Sequence, residues 1–383
     1  MNQNSNTQKQ VLVLGAGHVG KAMAIDLKKS GYEVSIADLD MSALVPLEDQ
    51  YGIRIYCEDF MNDSILGELL EGQDLVVGAA PGAVGYRLME RVIRNGKDMV
   101  DISFCPEDYL ELDKLAKEMD VTVVADMGVA PGMCNAILGY CDTSMDVASY
   151  KCIVGGLPYK REWPLEYKSS WSPIDCIEEY TRPARFKVNG ALVVKPALSD
   201  TELVEFDEIG TLEEWNSDGL RSLLKTMDHV PDMVEKTLRY PGTINFIRAL
   251  RDLGYFSYDK IEVDGKMIRP IDLSAKLLFP LWKLEKGESE FTIMRVTITG
   301  KKEGRETRIQ YDLMDSYDEE SDTLSMARTT GYTCTGVAEM LLKGMIKEKG
   351  VLAPEEVGRN QERFRYLLSY LKDRNVVYRV KEA

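Results

Sequence analysis

Ten residues constrain this 383-residue chain more than any others. Val11-Leu-Val-Leu runs without a break into Gly15-Ala-Gly17-His18-Val19-Gly20. An apolar run that ends in G-x-G-x-x-G reads as a strand buried on both faces, a tight turn and a helix. Gly15 permits the turn, Gly17 lets the backbone approach a pyrophosphate, and Gly20 lets the helix pack close to the strand. The free N–H groups at the helix start favour an anion. Val19, Ala22, Met23 and Leu27 mark the apolar face of that helix, Gly31 stops it, and Glu33-Val-Ser-Ile-Ala-Asp38 reads as the next strand. Asp38 stands about 20 residues past the fingerprint, where a carboxylate accepts hydrogen bonds from ribose hydroxyls and repels a 2′-phosphate. The expected cofactor is therefore NAD rather than NADP, held by Gly15, Gly17, His18, Val19, Gly20 and Asp38.

The rhythm continues. Ile53-Arg-Ile-Tyr, Asp74 to Gly78, Asp98 to Ser103 and Val121 to Asp126 read as strands with helical stretches between them. Such alternation predicts a mostly parallel sheet with helices on both faces, and ligands beyond the carboxyl ends of its strands. Ala80, Pro81, Asp101, Ser103, Asp126 and Gly128 are expected at that edge, the first four as further cofactor contacts and Asp126 as a catalytic carboxylate. From Gly128 the pattern changes to strands, with hairpin signals at Asn189-Gly190 and Lys301-Lys-Glu-Gly304. Helices are expected near Leu220 to Thr226, Pro231 to Leu238 and Asn245 to Leu253. Past Thr330 the helical period returns. The fold class is thus α/β: a Rossmann-type doubly wound parallel sheet with an inserted α+β second domain, whose sheet is mainly antiparallel. The expected divisions are a frayed polar start (1–10), a dinucleotide-binding domain (11–127), a substrate and oligomerisation domain (128–330) and C-terminal helices partly packing back on the nucleotide domain (331–383).

A net charge of −16 with no long basic stretch argues against nucleic acid and anionic membranes. No apolar run approaches the roughly 20 residues of a spanning helix, and the polar start lacks the core of a signal peptide. Seven cysteines without a C-x-x-C pair, and only two histidines, give no disulfide frame and no metal site. These features lead to the expectation of a cytoplasmic protein that pairs with copies of itself through the second-domain sheet.

Five motifs then occur in order: Gly155-Gly-Leu-Pro158, Lys168-Ser-Ser-Trp171-Ser-Pro173, Glu178-Glu179-Tyr-Thr-Arg182-Pro-Ala-Arg185, Asp218-Gly-Leu-Arg221-Ser and Thr237-Leu-Arg239-Tyr240-Pro-Gly242. Together they resemble the saccharopine dehydrogenase family, and within it the L-lysine 6-dehydrogenases, over nearly the whole chain. Saccharopine reductases carry Leu-Asp-Pro-Gly where this chain has Val129-Ala130-Pro-Gly132, Cys-Gly-Gly where it has Val154-Gly-Gly, and Tyr where it has Phe104. A buried site that loses polar groups no longer binds a substrate that needed them. The resemblance thus implies a primary amine, the ε-amine of L-lysine, oxidised with release of ammonia to a semialdehyde that cyclises. Thr243 stands where relatives have His, which leaves the amine open.

Amine oxidation needs a neutral amine and a carboxylate beside the developing iminium, and an α-carboxylate suits an arginine fork. Arg182, Arg185, Arg221 and Arg239 are on offer for the fork, with Arg239 and then Arg182 favoured. Asp126, Asp101, Glu178 or Glu179 are candidates for the carboxylate, and Lys168 for a base. Trp171, Tyr240 and Thr243 are candidate pocket residues. Two further readings stand beside this one: a dehydrogenase of a secondary amine such as saccharopine or carboxynorspermidine, and a non-catalytic NAD-binding sensor.

Overall fold

The computed structural model describes residues 8–169, 171–285 and 287–383. The expected fraying of residues 1–10 lies outside the described residues as far as residue 7. Gln10 already belongs to a strand, and Lys9 Nζ pairs with Asp74 at 2.8 Å. The chain forms two compact units, residues 1–139 with 327–375, and residues 140–326 with 376–383.

The first unit is built on an all-parallel sheet of β1 (Gln10–Leu14), β2 (Glu33–Asp38), β3 (Arg54–Cys57), β4 (Leu75–Gly78), β5 (Met99–Asp101), β6 (Thr122–Val124) and, from far along the chain, β17 (Gly350–Leu352). The strand order is 3-2-1-4-5-6-17, so the winding reverses between β1 and β4. Val11 to Leu14 and Leu75 to Val77 are buried, as strands covered on both faces require. Helices α1 (His18–Lys29), α2 (Met41–Tyr51), α3 (Asp63–Leu70), α4 (Gly82–Arg94), α5 (Asp113–Glu118) and the start of α6 (Met133–Asp142) cover the sheet.

The C-terminal helices α11 (Ser325–Leu342), α12 (Pro354–Arg359) and α13 (Gln361–Lys372) complete this unit from residue 327 onward. They are fastened to α1 through one buried carboxylate. Asp26 accepts from Thr335 Oγ1 at 2.5 Å, Tyr370 Oη at 2.7 Å and Arg374 Nε at 2.6 Å. A buried charge is stable only when paired and hydrogen-bonded, and here the partners come from the far end of the chain.

The second unit holds a mixed sheet of order 10-11-12-7-15-16-18, from β10 (Glu202–Phe206), β11 (Gly210–Asn216), β12 (Asp232–Arg239), β7 (Asp146–Pro158), β15 (Glu290–Lys302), β16 (Arg305–Ser316) and β18 (Tyr378–Glu382). Only β12 and β7 pair in parallel. The hairpin β8 (Ala184–Val188) and β9 (Ala191–Lys195) turns at Asn189-Gly190 and joins β12. Helices α7 (Pro173–Thr181), α9 (Thr243–Asp252) and α10 (Pro270–Trp282) pack with the sheet around Ile153, Leu157, Trp215, Leu238, Trp282 and Phe291. A short helix α8 (Leu223–Thr226) and a separate hairpin of β13 (Ile261–Val263) and β14 (Lys266–Ile268) complete the unit.

Four expectations change. The unit boundaries fall at 139/140 and 326/327, inside helices α6 and α11, rather than at 127/128 and 330/331. The end of the chain, residues 376–383, is a strand of the second sheet, which the sequence reading did not assign. Helices α7 and α10 were not expected. The stretch Pro231 to Leu238, read as a helix, is the inner strand β12. Its polar residues obscured the strand period, because each is buried with a partner: Glu235 with Ser217, Lys236 with Glu214, and Thr237 and Arg239 with Glu179. Among the described residues no helix is long and apolar enough to cross a membrane, and no three His, Cys, Asp or Glu residues form a metal-binding group.

Candidate functional site

The fingerprint turn sits where the strand order reverses. Gly15 N–H donates to Ala37 O at 2.9 Å and Ala79 N–H to Leu14 O at 2.8 Å, which ties the turn to the ends of β2 and β4. Gly15 has φ +111°, and a Cβ there would stand 2.5 Å from Ala79 O. A Cβ at Gly20 would stand 2.0 Å from Gly15 O. Packing alone therefore requires these two glycines. Gly17 is different. Its φ of −66° suits any residue, and a Cβ would meet nothing within 4 Å. The fold makes no demand for glycine at this position, which caps the N-terminus of α1. The open space at this helix start fits an anion against the free N–H groups of α1. His18 is exposed and Val19 half-buried at the same helix start.

Asp38, half-buried at the end of β2, faces this turn. One carboxylate oxygen accepts from Ala16 N–H at 2.6 Å, the other from Asp40 N–H at 2.9 Å. Each oxygen keeps a lone pair for a further donor. Residues 38–50 contain neither Lys nor Arg.

The residues at the ends of β4, β5 and β6 lie deeper than expected. Pro81 is exposed, but Ala80, Asp101, Ser103 and Asp126 are buried. Asp101 accepts from Ser103 N–H at 2.7 Å and Ser103 Oγ at 3.1 Å. Burial pushes its carboxyl up to about 7; the Ser103 hydrogen bonds oppose this and the Asp126 charge adds to it. A Cβ at Gly78 would stand 1.9 Å from Asp101 Oδ2, so the carboxyl lies against the end of β4. Asp126 has φ +53° and carries the chain into the Gly128 loop. These side chains form a buried support beneath the strand ends.

In the second unit the arginines divide sharply. Arg239, the favoured fork, is buried and its donors are taken. Nε bonds Tyr180 Oη at 3.0 Å, Nη1 bonds Leu238 O at 2.8 Å and Nη2 bonds Glu179 at 3.1 Å. Its guanidinium lies 4.3 Å over the Tyr167 ring. Arg239, expected to clamp a substrate, is held in an internal ion pair with Glu179. Arg185 forms a fork with Asp218, at 2.9 and 2.8 Å. Arg182 stays half-buried, and its acidity is raised first by burial and then by the Arg221 charge. The two guanidinium groups that bracket the Asp218 motif thus stand close enough to oppose each other. The Asp218, Glu178 and Asp175 carboxylates act against that opposition.

Glu179 is fixed by Thr237 Oγ1 at 2.8 Å and by Arg239. Behind it a buried chain runs through Ser217 to Glu235: Thr237 Oγ1 to Ser217 Oγ is 2.8 Å and Ser217 Oγ to Glu235 is 2.6 Å. Burial pushes Glu235 up to about 8, against the Ser217 hydrogen bond, with Glu179 and Asp218 adding to the rise. The sequence reading missed Glu235 and Ser217. The available signal was Gly219, where a Cβ would stand 2.3 Å from the Glu235 carboxyl carbon.

The remaining candidates are held structurally. Lys168 Nζ donates to Lys283 O at 3.3 Å and faces Glu162 and Glu288 at 3.4 and 3.8 Å. Tyr240 Oη donates to Pro158 O at 2.9 Å, and Thr243 Oγ1 to Leu165 O at 3.0 Å, so neither hydroxyl proton is left for a ligand. Trp171 packs on the core of this unit.

The saccharopine dehydrogenase C-terminal domain matches residues 128–377, and the saccharopine dehydrogenase NADP binding domain matches residues 11–124. The chain belongs to the saccharopine dehydrogenase family. Mouse mitochondrial alpha-aminoadipic semialdehyde synthase is 28% identical over 264 residues, which cover 65% of this chain and 28% of that protein. Saccharopine dehydrogenase [NADP(+), L-glutamate-forming] from Saccharomyces cerevisiae is 26% identical over 276 residues, 68% of this chain and 61% of that one. The chain therefore spans about a quarter of the mammalian relative and under two thirds of the yeast one. The solved structure of apo histidine-tagged saccharopine dehydrogenase (L-Glu forming) from S. cerevisiae shares the fold, with a TM-score of 0.77 at 21% identity over 98% of this chain and all of that one. In this family member Ala130, Val154 and Phe104 occupy the apolar positions described above, and Val154 is buried in the central strand β7.

Proposed function

We propose that this chain is an NAD-dependent oxidoreductase that oxidises the amine of an amino acid, with the ε-amine of L-lysine as substrate. The observation that carries the reading is Gly17: a glycine the fold does not need, at a helix start, with open space where a side chain would be. Gly15, Gly17, His18 and Val19 would hold the pyrophosphate, and Asp38 the ribose hydroxyls. The two carboxylates Asp38 and Asp40, without a Lys or Arg through residue 50, support NAD. When bound, the nicotinamide supplies the two-electron acceptor.

The chain's own residues do the rest. Arg182 and Arg221 hold the α-carboxylate. Glu179, oriented by Thr237 and Arg239, offers negative charge to the developing iminium. Overall, a hydride leaves the carbon that bears the amine, water replaces nitrogen, and ammonia departs. The apolar Ala130, Val154 and Phe104 support the smaller amine over saccharopine. The names of the relatives favour a second reading, a saccharopine-type secondary amine. NAD reduction by lysine alone, compared with saccharopine under either nucleotide, separates them. Turnover of saccharopine with none of lysine defeats the first reading. NAD binding without turnover of any amine would leave only the sensor reading.

A further inference from the structure

Between α7 and β12, four side chains form one hydrogen-bonded line. Glu179 Oε1 meets Thr237 Oγ1 at 2.8 Å, Thr237 Oγ1 meets Ser217 Oγ at 2.8 Å, and Ser217 Oγ meets Glu235 Oε2 at 2.6 Å. A hydroxyl carries one proton, so each hydroxyl in such a line donates to one neighbour and accepts from the other. The line therefore has two arrangements. With a proton on Glu235, every O–H points toward Glu179, which is charged. With a proton on Glu179, every O–H points toward Glu235, which then carries the charge. Ser217, Thr237 and Glu235 are 3%, 3% and 5% exposed, so the interior of the line is dry. The Glu179 side chain is 16% exposed, and the line opens at that end. The groups that face Glu235 from the neighbouring elements are Glu179 on α7, Asp218 after β11 and Cys152, its register partner on β7. Arg185 of β8 is committed to Asp218 at 2.8 Å. Burial pushes the Glu235 carboxyl up to about 8; the Ser217 and Gly219 hydrogen bonds oppose this, and the Glu179 and Asp218 charges add to it.

We propose that Glu235 is the terminal proton acceptor of the amine oxidation, reached from Glu179 through Thr237 and Ser217. This rests on the function proposed above, in which Glu179 stands beside the reacting amine. Glu235 touches no substrate and acts through Glu179. The ε-amine arrives protonated, and hydride leaves only from the neutral amine. Glu179 takes the proton from nitrogen and hands it to Thr237 Oγ1. Thr237 passes its own proton to Ser217 Oγ, and Ser217 passes its own to Glu235 Oε2. One N–H bond breaks, one O–H bond forms on Glu235, and each hydroxyl exchanges one proton for another. Glu179 ends as the carboxylate it was, charged beside the iminium that forms next. An ordinary carboxylate lies about 6 pH units below a lysine ammonium, and Glu235 only about 2, so the transfer to Glu235 is far less uphill. The proton returns to solvent along the same line once the product has gone, which matches the one proton that the overall oxidation releases.

The pH dependence of kcat/KM for lysine at saturating NAD tests this. The native value should rise with pH through about 8, as Glu235 loses its proton and becomes an acceptor. Ser217→Ala cuts the line while keeping both carboxylates, and should lower kcat/KM about 100-fold at pH 8. Glu235→Gln should do the same, and the double variant should be no slower than either. Near pH 10 solvent takes the proton of the ammonium, so all three should recover to within about 3-fold of the native rate. A merely structural role gives no such recovery. Thr237→Ser keeps the hydroxyl and should follow the native profile. Infrared spectra read the end of the line without turnover and without the Ser217 variant. The native spectrum minus that of Glu235→Gln should show a protonated carboxyl at pH 6 that is gone at pH 10. The proposal is overturned if Ser217→Ala keeps the native profile, if its defect persists at pH 10, if the double variant is slower than either single one, or if the carboxyl band is missing at pH 6. A native chain that turns over no amine strikes the function proposed above, whereas lysine turnover with Ser217→Ala at the native rate strikes the proton line alone.

Discussion

Gly17 and Arg239 were the two most prominent site residues in the sequence, and the structure treats them oppositely. At Gly17 the fold leaves room it has no use for. At Arg239 it uses every direction of the guanidinium, on Tyr180, Leu238, Glu179 and the Tyr167 ring. A ligand site is recognised by the space that the fold leaves open, as at Gly17. Arg239 holds Glu179, and the carboxylate fork proposed at Arg182 and Arg221 stands apart from that pair.

The sharpest way to break this comparison is within the fingerprint itself. Gly20→Val must move Gly15, so thermal melting should show a fall of about 10 °C or more, or no folded protein. Gly17→Val should melt within about 2 °C of the native chain yet lose NAD affinity by about 100-fold or more in calorimetry. Equal effects of the two would erase the distinction between a glycine for packing and a glycine for ligand.

The arginines give the next test. Arg239→Lys loses the planar fork in a buried site and should cost about 2–3 kcal/mol in urea unfolding. Arg182→Lys should leave unfolding within about 0.5 kcal/mol and raise the Michaelis constant for the amino acid about 10- to 30-fold. The reverse assignment would return the fork to Arg239.

A smaller effect is expected at Asp38. Asp38→Asn keeps an acceptor for Ala16 N–H and removes the charge. The ratio of kcat/KM with NADP to that with NAD should rise about tenfold, or 1.4 kcal/mol. An unchanged ratio would place nucleotide choice elsewhere.

A last test concerns Glu235. Its native value near 8 lies above its ordinary 4.5. The native state keeps this proton while the unfolded chain releases it, so the Glu235 contribution falls as pH rises from 4.5 to 8. The slope is at most about 1.4 kcal/mol per pH unit. Glu235→Gln should flatten it, so urea midpoints at pH 5 and pH 8 should differ less than in the native chain.

Sequence by itself determined what local periodicity and backbone geometry can fix. The apolar runs give parallel strands, the glycine spacing gives the turn, and Asn189-Gly190 gives its hairpin, because each signal needs only neighbours in the chain. It also placed the C-terminal helices without naming Asp26, the carboxylate that fastens them. Tertiary structure alone decided the rest. Strand β12 read as a helix because its charges are buried against partners up to 60 residues away. Four arginines in three motifs were all on offer, since a sequence records that a guanidinium exists but not which of its hydrogen bonds the fold has already made. The pairing of a charge with its partner is a property of folded space, and it separates a residue that builds a site from one that remains available to fill it.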